Sequence, residues 1–150
     1  MRWRLALPLF AFLTGCSAGQ PAFVDLATLE RPDSPNTYLL CPADLTRATP
    51  DAEPPTYEVP RVELERTWLA NLAEEPRTTR VGAEPDRHRY LYVQRTQVLR
   101  FPDIVQVDFV DRPPTGSTVC LYSRSVYGYS DFGTNRSRVE DWVRRFQPQG

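Results

Sequence analysis

The chain has 150 residues, 41% of them hydrophobic and 25% charged, which bounds it to one globular domain with room for its own core. Its formal net charge is −1, and all 18 basic positions are Arg, with no Lys anywhere. That balance, without a basic tail or an aromatic–basic stripe, argues against a nucleic-acid partner. A chain-wide preference for Arg also reduces the weight that any single Arg can carry.

Residues 1–16 read MRWRLALPLFAFLTGC. Arg2 and Arg4 precede an apolar run from Leu5 to Leu13 and then small residues, the layout of a secretory signal peptide over 1–15. The run is too short to span a bilayer as a mature helix. Leu13-Thr14-Gly15-Cys16 resembles the bacterial lipobox, which implies cleavage before Cys16 and acylation of its thiol and new amino group. A plain signal peptide with an incidental Cys is the other reading. Several acyl chains on one residue anchor a protein stably, because each buried methylene contributes about 0.8 kcal/mol. The expectation is a periplasm-facing envelope lipoprotein held to the membrane through Cys16. Ser17, where lipoproteins retained in the inner membrane carry Asp, points to the outer membrane.

Residues 16–30 read as a tether, and 31–150 as the domain. The stretch up to Pro60 is rich in Pro, and within it RPDSPNTYLLCPAD is the part expected to dock, because Tyr38, Leu39 and Leu40 give it something to bury. Two further cysteines, Cys41 and Cys120, are either a disulfide or two separately buried thiols. The second is the favoured reading, since sequence alone does not bring their Cα atoms within reach. Cys and His are too few for a structural zinc site, and no metal or cofactor motif is present.

A helix is expected from Pro60, with Val62, Leu64, Trp68, Leu69 and Leu72 as its apolar set and Pro76 beyond its end. About four strands follow. Arg77–Val81 is short. His88–Leu99 alternates, with Tyr90, Tyr92 and Gln94 on one face and Leu91 and Val93 on the other. Phe101-Pro102-Asp103 reads as a turn, Ile104–Val110 as a strand, Asp111–Gly116 as a loop and Ser117–Ser125 as the last strand. Short connections favour an antiparallel meander. The final helix, capped by Thr134 or Asn135, carries Val139, Trp142, Val143 and Phe146 on its apolar stripe and Arg136 and Arg138 among its polar residues. The fold class is α+β: one two-layer domain in the order α-β-β-β-β-α.

Residues 123–139, SRSVYGYSDFGTNRSRV, join the last strand to that helix. Gly128 and Gly133 permit backbone angles that other residues resist, and Asp131 and Asn135 can bond local N–H groups. Ser123, Arg124, Ser125, Ser130, Asp131, Asn135, Arg136 and Arg138 are the candidate binding residues. Three Arg beside a helix N-terminus would form an anion cradle. An internal pairing of Asp131 with Arg136 or Arg138, fixing the joint, uses the same residue types.

The segments YVQRTQVLRFPDIVQVDFV and LYSRSVYGYSDFGTNRSRVEDWV resemble the bacterial family called domain of unknown function 1499. The family hallmark is a Ser-rich strand, then Gly, Asp, Gly and Asn-Arg-x-Arg-Val. It is met here by Ser123, Ser125, Gly128, Asp131, Gly133, Asn135, Arg136, Arg138 and Val139. RPDSPNTYLLCP resembles the family's Pro-Asn segment, so the likeness runs over roughly residues 31 to 146. Thr37 and Val126 depart from it, standing where many members have a small residue or Cys and an Arg. The resemblance implies no reaction.

Three functions compete: a non-enzymatic module binding a small anionic ligand, a lipid or a protein partner at the joint; a purely structural envelope module; and a hydrolase using Ser123 or Ser125. The last lacks a partner in sequence, since the single His, His88, stands at a strand start between Arg87 and Arg89 and there is no GxSxG elbow. Asp103 and Asp131 would serve as an acid–base pair only if they converge.

Overall fold

The computed structural model describes residues 21–148; the signal segment, Cys16 and the start of the tether lie outside the described residues. Five antiparallel strands form one sheet in the order β1-β5-β4-β3-β2. They are β1 (Thr37–Leu40), β2 (Thr78–Glu84), β3 (Arg89–Arg95), β4 (Pro102–Arg112) and β5 (Gly116–Ser125). Helix α1 (Arg61–Glu74) lies between β1 and β2, and α2 (Thr134–Arg145) follows β5. Strands β2 to β5 make the expected meander.

The fifth strand, β1, sits in the segment expected only to dock. It pairs with β5 from Thr37↔Arg124 to Leu40↔Leu121 and closes that edge of the sheet. Period-two alternation then decides which side chain meets which layer. Tyr38, Leu40, Tyr90, Tyr92, Val105, Val107, Val119 and Leu121 face both helices and pack with Leu64, Trp68, Leu72, Val139, Trp142 and Phe146. Trp68 meets Phe146 edge-on at 5.3 Å. Val62, counted in the apolar set of α1, faces solvent instead.

The opposite face is not left to water. Residues 21–30, expected to hang as a tether, run along it, and Leu26 and Leu29 pack with Leu39, Cys41, Cys120 and Tyr122. The Gln106 side-chain amide bonds the backbone of Val24 in both directions, at 2.9 and 3.0 Å, as a strand would. Cys41 and Cys120 are joined in a disulfide across this layer, correcting the preference for two free thiols. The pairing Leu40↔Leu121 carries their α-carbons to 4.3 Å, a juxtaposition that follows from β1 being a strand.

β2 runs on to Glu84 and β4 to Arg112, past their expected ends, and two further differences have a clear cause. β3 stops at Arg95, not Leu99, because the chain turns back on itself: Thr96 N–H donates to the Phe101 carbonyl at 2.9 Å, and Arg100 takes a left-handed φ of 58°. Pro102 and Asp103 open β4 instead of forming a turn, since a first strand position asks no ladder donor of Pro.

Candidate functional site

The β5–α2 connection is built around Asp131. Its carboxylate accepts the backbone N–H of Gly133 at 3.0 Å and of Asn135 at 2.8 Å, and its carbonyl accepts the Thr134 hydroxyl at 2.7 Å. Asp131, not Thr134 or Asn135, therefore satisfies the free N–H groups at the start of α2. Gly133 precedes the helix at φ 80°, where a side chain would be strained.

Asn135 is buried and points back into the joint. Its amide nitrogen lies 2.9 Å from the Asn36 carbonyl, 3.1 Å from Ser125 Oγ and 2.6 Å from Asp131 Oδ2. Its amide oxygen accepts the Ser123 hydroxyl at 2.6 Å and Arg138 at 2.7 Å. Asn36 in turn donates to the Gly128 carbonyl at 2.6 Å. One side chain thus ties the edge strand, the last strand and the helix start together.

Arg138, expected on the polar face of α2, is turned inward. Its guanidinium donates to Asp103 at 2.5 Å, to Ser123 at 2.9 Å and to the Gln94 side-chain carbonyl. The Arg138 and Asp103 side chains are only 4% and 3% exposed, so the pair is sealed from water. Alternation puts Gln94, Asp103, Ser123 and Ser125 on the helix-facing side of three adjacent strands, the polar end of an otherwise apolar layer. Ser123 has no base: its proton goes to an amide oxygen and its lone pair receives Arg138. His88 bonds Glu65 at 3.0 Å on another part of the fold.

The three-Arg cradle does not assemble. Arg124 lies on the opposite face of β5, donating to the Ala22 carbonyl at 3.0 Å and standing over the Tyr122 ring, and its burial lowers its pKa. Arg136 is exposed and paired with Glu140 at 2.9 Å, which raises its pKa. Asp131 pairs with neither Arg136 nor Arg138. Ser130 is at the surface, accepting the Phe132 N–H at 3.3 Å. Asp103 and Asp131 do not act as a pair, each being committed to its own partners.

Beside this network is a cleft of about 930 Å³. Gln94, Asp103, Ser125 and Arg138 lie in it, and its other walls come from the β3–β4 loop, the 127–134 connection and the first turns of α2. Its mouth is apolar: Val98 is 85% exposed, Leu99 66% and Phe132 98%. Phe101 and Tyr127 meet edge to face at 6.3 Å, joining the two loops that frame it. Arg77 and Arg95 border the same cleft.

Sequence reasoning found the joint but not this cleft. Gln94 was visible as the polar member of the inward face of β3, and Asp103 was hidden by Pro102, which marked it as a turn. The alternation that runs to Leu99 assigns residues 96–99 to a strand, which gives the apolar tip of the loop no meaning of its own.

The chain matches the family model described as Protein of unknown function (DUF1499) over residues 13–146. No curated protein matches it, and no solved structure does. The chain belongs to the DUF1499 family.

Proposed function

We propose that this family member is a non-enzymatic envelope lipoprotein whose domain holds a small amphipathic ligand, an acyl or other apolar body with an anionic head, in the cleft beside the 123–139 joint. The observation that carries the reading is the cleft itself: its volume of about 930 Å³ falls in the range of small-molecule sites, and its mouth is apolar while polar groups converge at its floor. Because Arg138 is neutralised by Asp103, the anionic head is taken by Arg77 and Arg95 at the rim, which have no carboxylate partner among the described residues. The apolar body lies against Leu99, Phe101 and Tyr127. The Cys41–Cys120 disulfide supports an oxidising compartment, as the lipobox-like segment does.

The purely structural reading draws on the network, whose groups are bonded to one another and need no ligand. A titration with lysophosphatidylglycerol followed by two-dimensional NMR separates the two. Saturable shifts confined to residues 75–77, 94–103 and 125–142 are the expected result. Unchanged spectra up to the micelle-forming concentration would leave the joint as architecture.

A further inference from the structure

Both loops that frame the cleft lie at one end of the sheet, where β3 ends and β4 begins and where β5 ends. Val98, Leu99, Phe132 and Tyr129, the last 73% exposed, project there as separate apolar tips. Arg77, Arg95 and Arg100 are exposed at the same end. None of the three pairs with a carboxylate among the described residues; their side-chain bonds run to backbone carbonyls, Arg77 to Arg95 and Arg95 to Arg100, both at 3.2 Å. Of the acidic groups nearby, Glu75 and Asp141 engage Arg145 and Asp131 the start of α2, which leaves Glu74, exposed and three residues before Arg77, without an ion pair among the described residues. With three Arg outside any ion pair, this end presents a net positive charge around apolar tips.

The chain also enters here. Pro21 lines one groove with Arg77, Arg95 and Arg100. Four residues lie between it and Cys16, and the five Cα-to-Cα steps span at most about 18 Å. Whatever holds Cys16 holds this end of the domain within that distance.

We infer that this end docks on the anionic leaflet that carries the anchor, with the loop 96–101 and the 127–132 connection seated among the headgroups. The inference deepens the binding reading and rests on its lipid anchor: the leaflet is the source of the amphiphile, and the cleft mouth opens onto it. Aromatic and aliphatic tips enter the interfacial layer, and the three Arg neutralise lipid phosphates, each contributing about fivefold in surface affinity.

The test is hydrogen exchange on the full mature protein, purified from its envelope and reconstituted into phosphatidylcholine vesicles with or without phosphatidylglycerol. Slowed exchange at 96–101 and 127–133 in the phosphatidylglycerol vesicles, lost in the Arg77→Ser/Arg95→Ser/Arg100→Ser variant and in high salt, is expected. Equal exchange in both vesicle types and in detergent would overturn the docking, as would protection that ignores the three substitutions. Intact mass on the same sample reports separately whether Cys16 is acylated. Ser137→Trp, which fills the cleft from an exposed helical position, keeps the protection, so failure of cleft binding is read apart from failure of docking.

Discussion

Arg138 of α2 and Asp103 of β4, 35 residues apart in the chain, form an ion pair at 2.5 Å that is closed to solvent and shared with Gln94, Ser123 and Asn135. The pair locks the start of α2 over three strands, and the cleft stands on it. Desolvating two charges is costly, so such a pair adds little net stability, yet removing one partner strands the other in a dry site.

Asp103→Asn or Arg138→Gln is therefore expected to cost about 3–5 kcal/mol in denaturant unfolding. Asp103→Leu with Arg138→Met recovers only part of that loss, because Gln94, Ser123 and Asn135 then lose a partner.

Asp131→Ala removes the acceptor for the Gly133 and Asn135 N–H groups at the start of α2, at a half-buried position. A loss of about 1–2 kcal/mol is expected in thermal unfolding, with Asp131→Asn costing less because it keeps one acceptor. A variant as stable as the parent would contradict the capping role.

Much of this was readable in the sequence, and the misses have physical reasons. Both helices, the meander and the location of the joint followed from periodicity and turn residues. Charge normally marks solvent, so periodicity alone places Arg138 on the polar face of α2; only the convergence of Asp103, Gln94 and Ser123, each on a different strand, makes a buried guanidinium tolerable. β1 has four residues and is recognisable chiefly by what it pairs with. Residues 21–30 carry Phe23, Val24, Leu26 and Leu29 at no sustained helical or strand period, and Leu26 and Leu29 find their partners only once the sheet exists.

The Cys41–Cys120 disulfide closes a separation of 79 residues, which in the chain-entropy model contributes about 4 kcal/mol. Reduction with dithiothreitol is expected to lower the unfolding midpoint accordingly. Cys41→Ala/Cys120→Ala should show the same drop and lose its sensitivity to reductant.

Asp108 gives the fold a pH dependence. Burial in the folded state raises its carboxyl from 3.8 to about 6, against the lowering effect of Gln106 and Arg89. The folded protein therefore holds this proton more tightly than the unfolded chain does. Its contribution is complete below about pH 4 and is lost as the pH rises through 6. Asp108→Asn, which keeps an acceptor for Gln106, is expected to flatten that fall and to raise stability at pH 7 by roughly 2 kcal/mol. Unfolding curves at pH 4, 6 and 8 decide it.

The most direct test of the binding cleft is native mass spectrometry of the protein extracted from its own envelope, beside Ser137→Trp. The expected result is a co-purifying amphiphile of defined mass on the parent, absent from a variant that melts at the same temperature. A bare protein in both samples, or the same adduct on both, would contradict the cleft as the site.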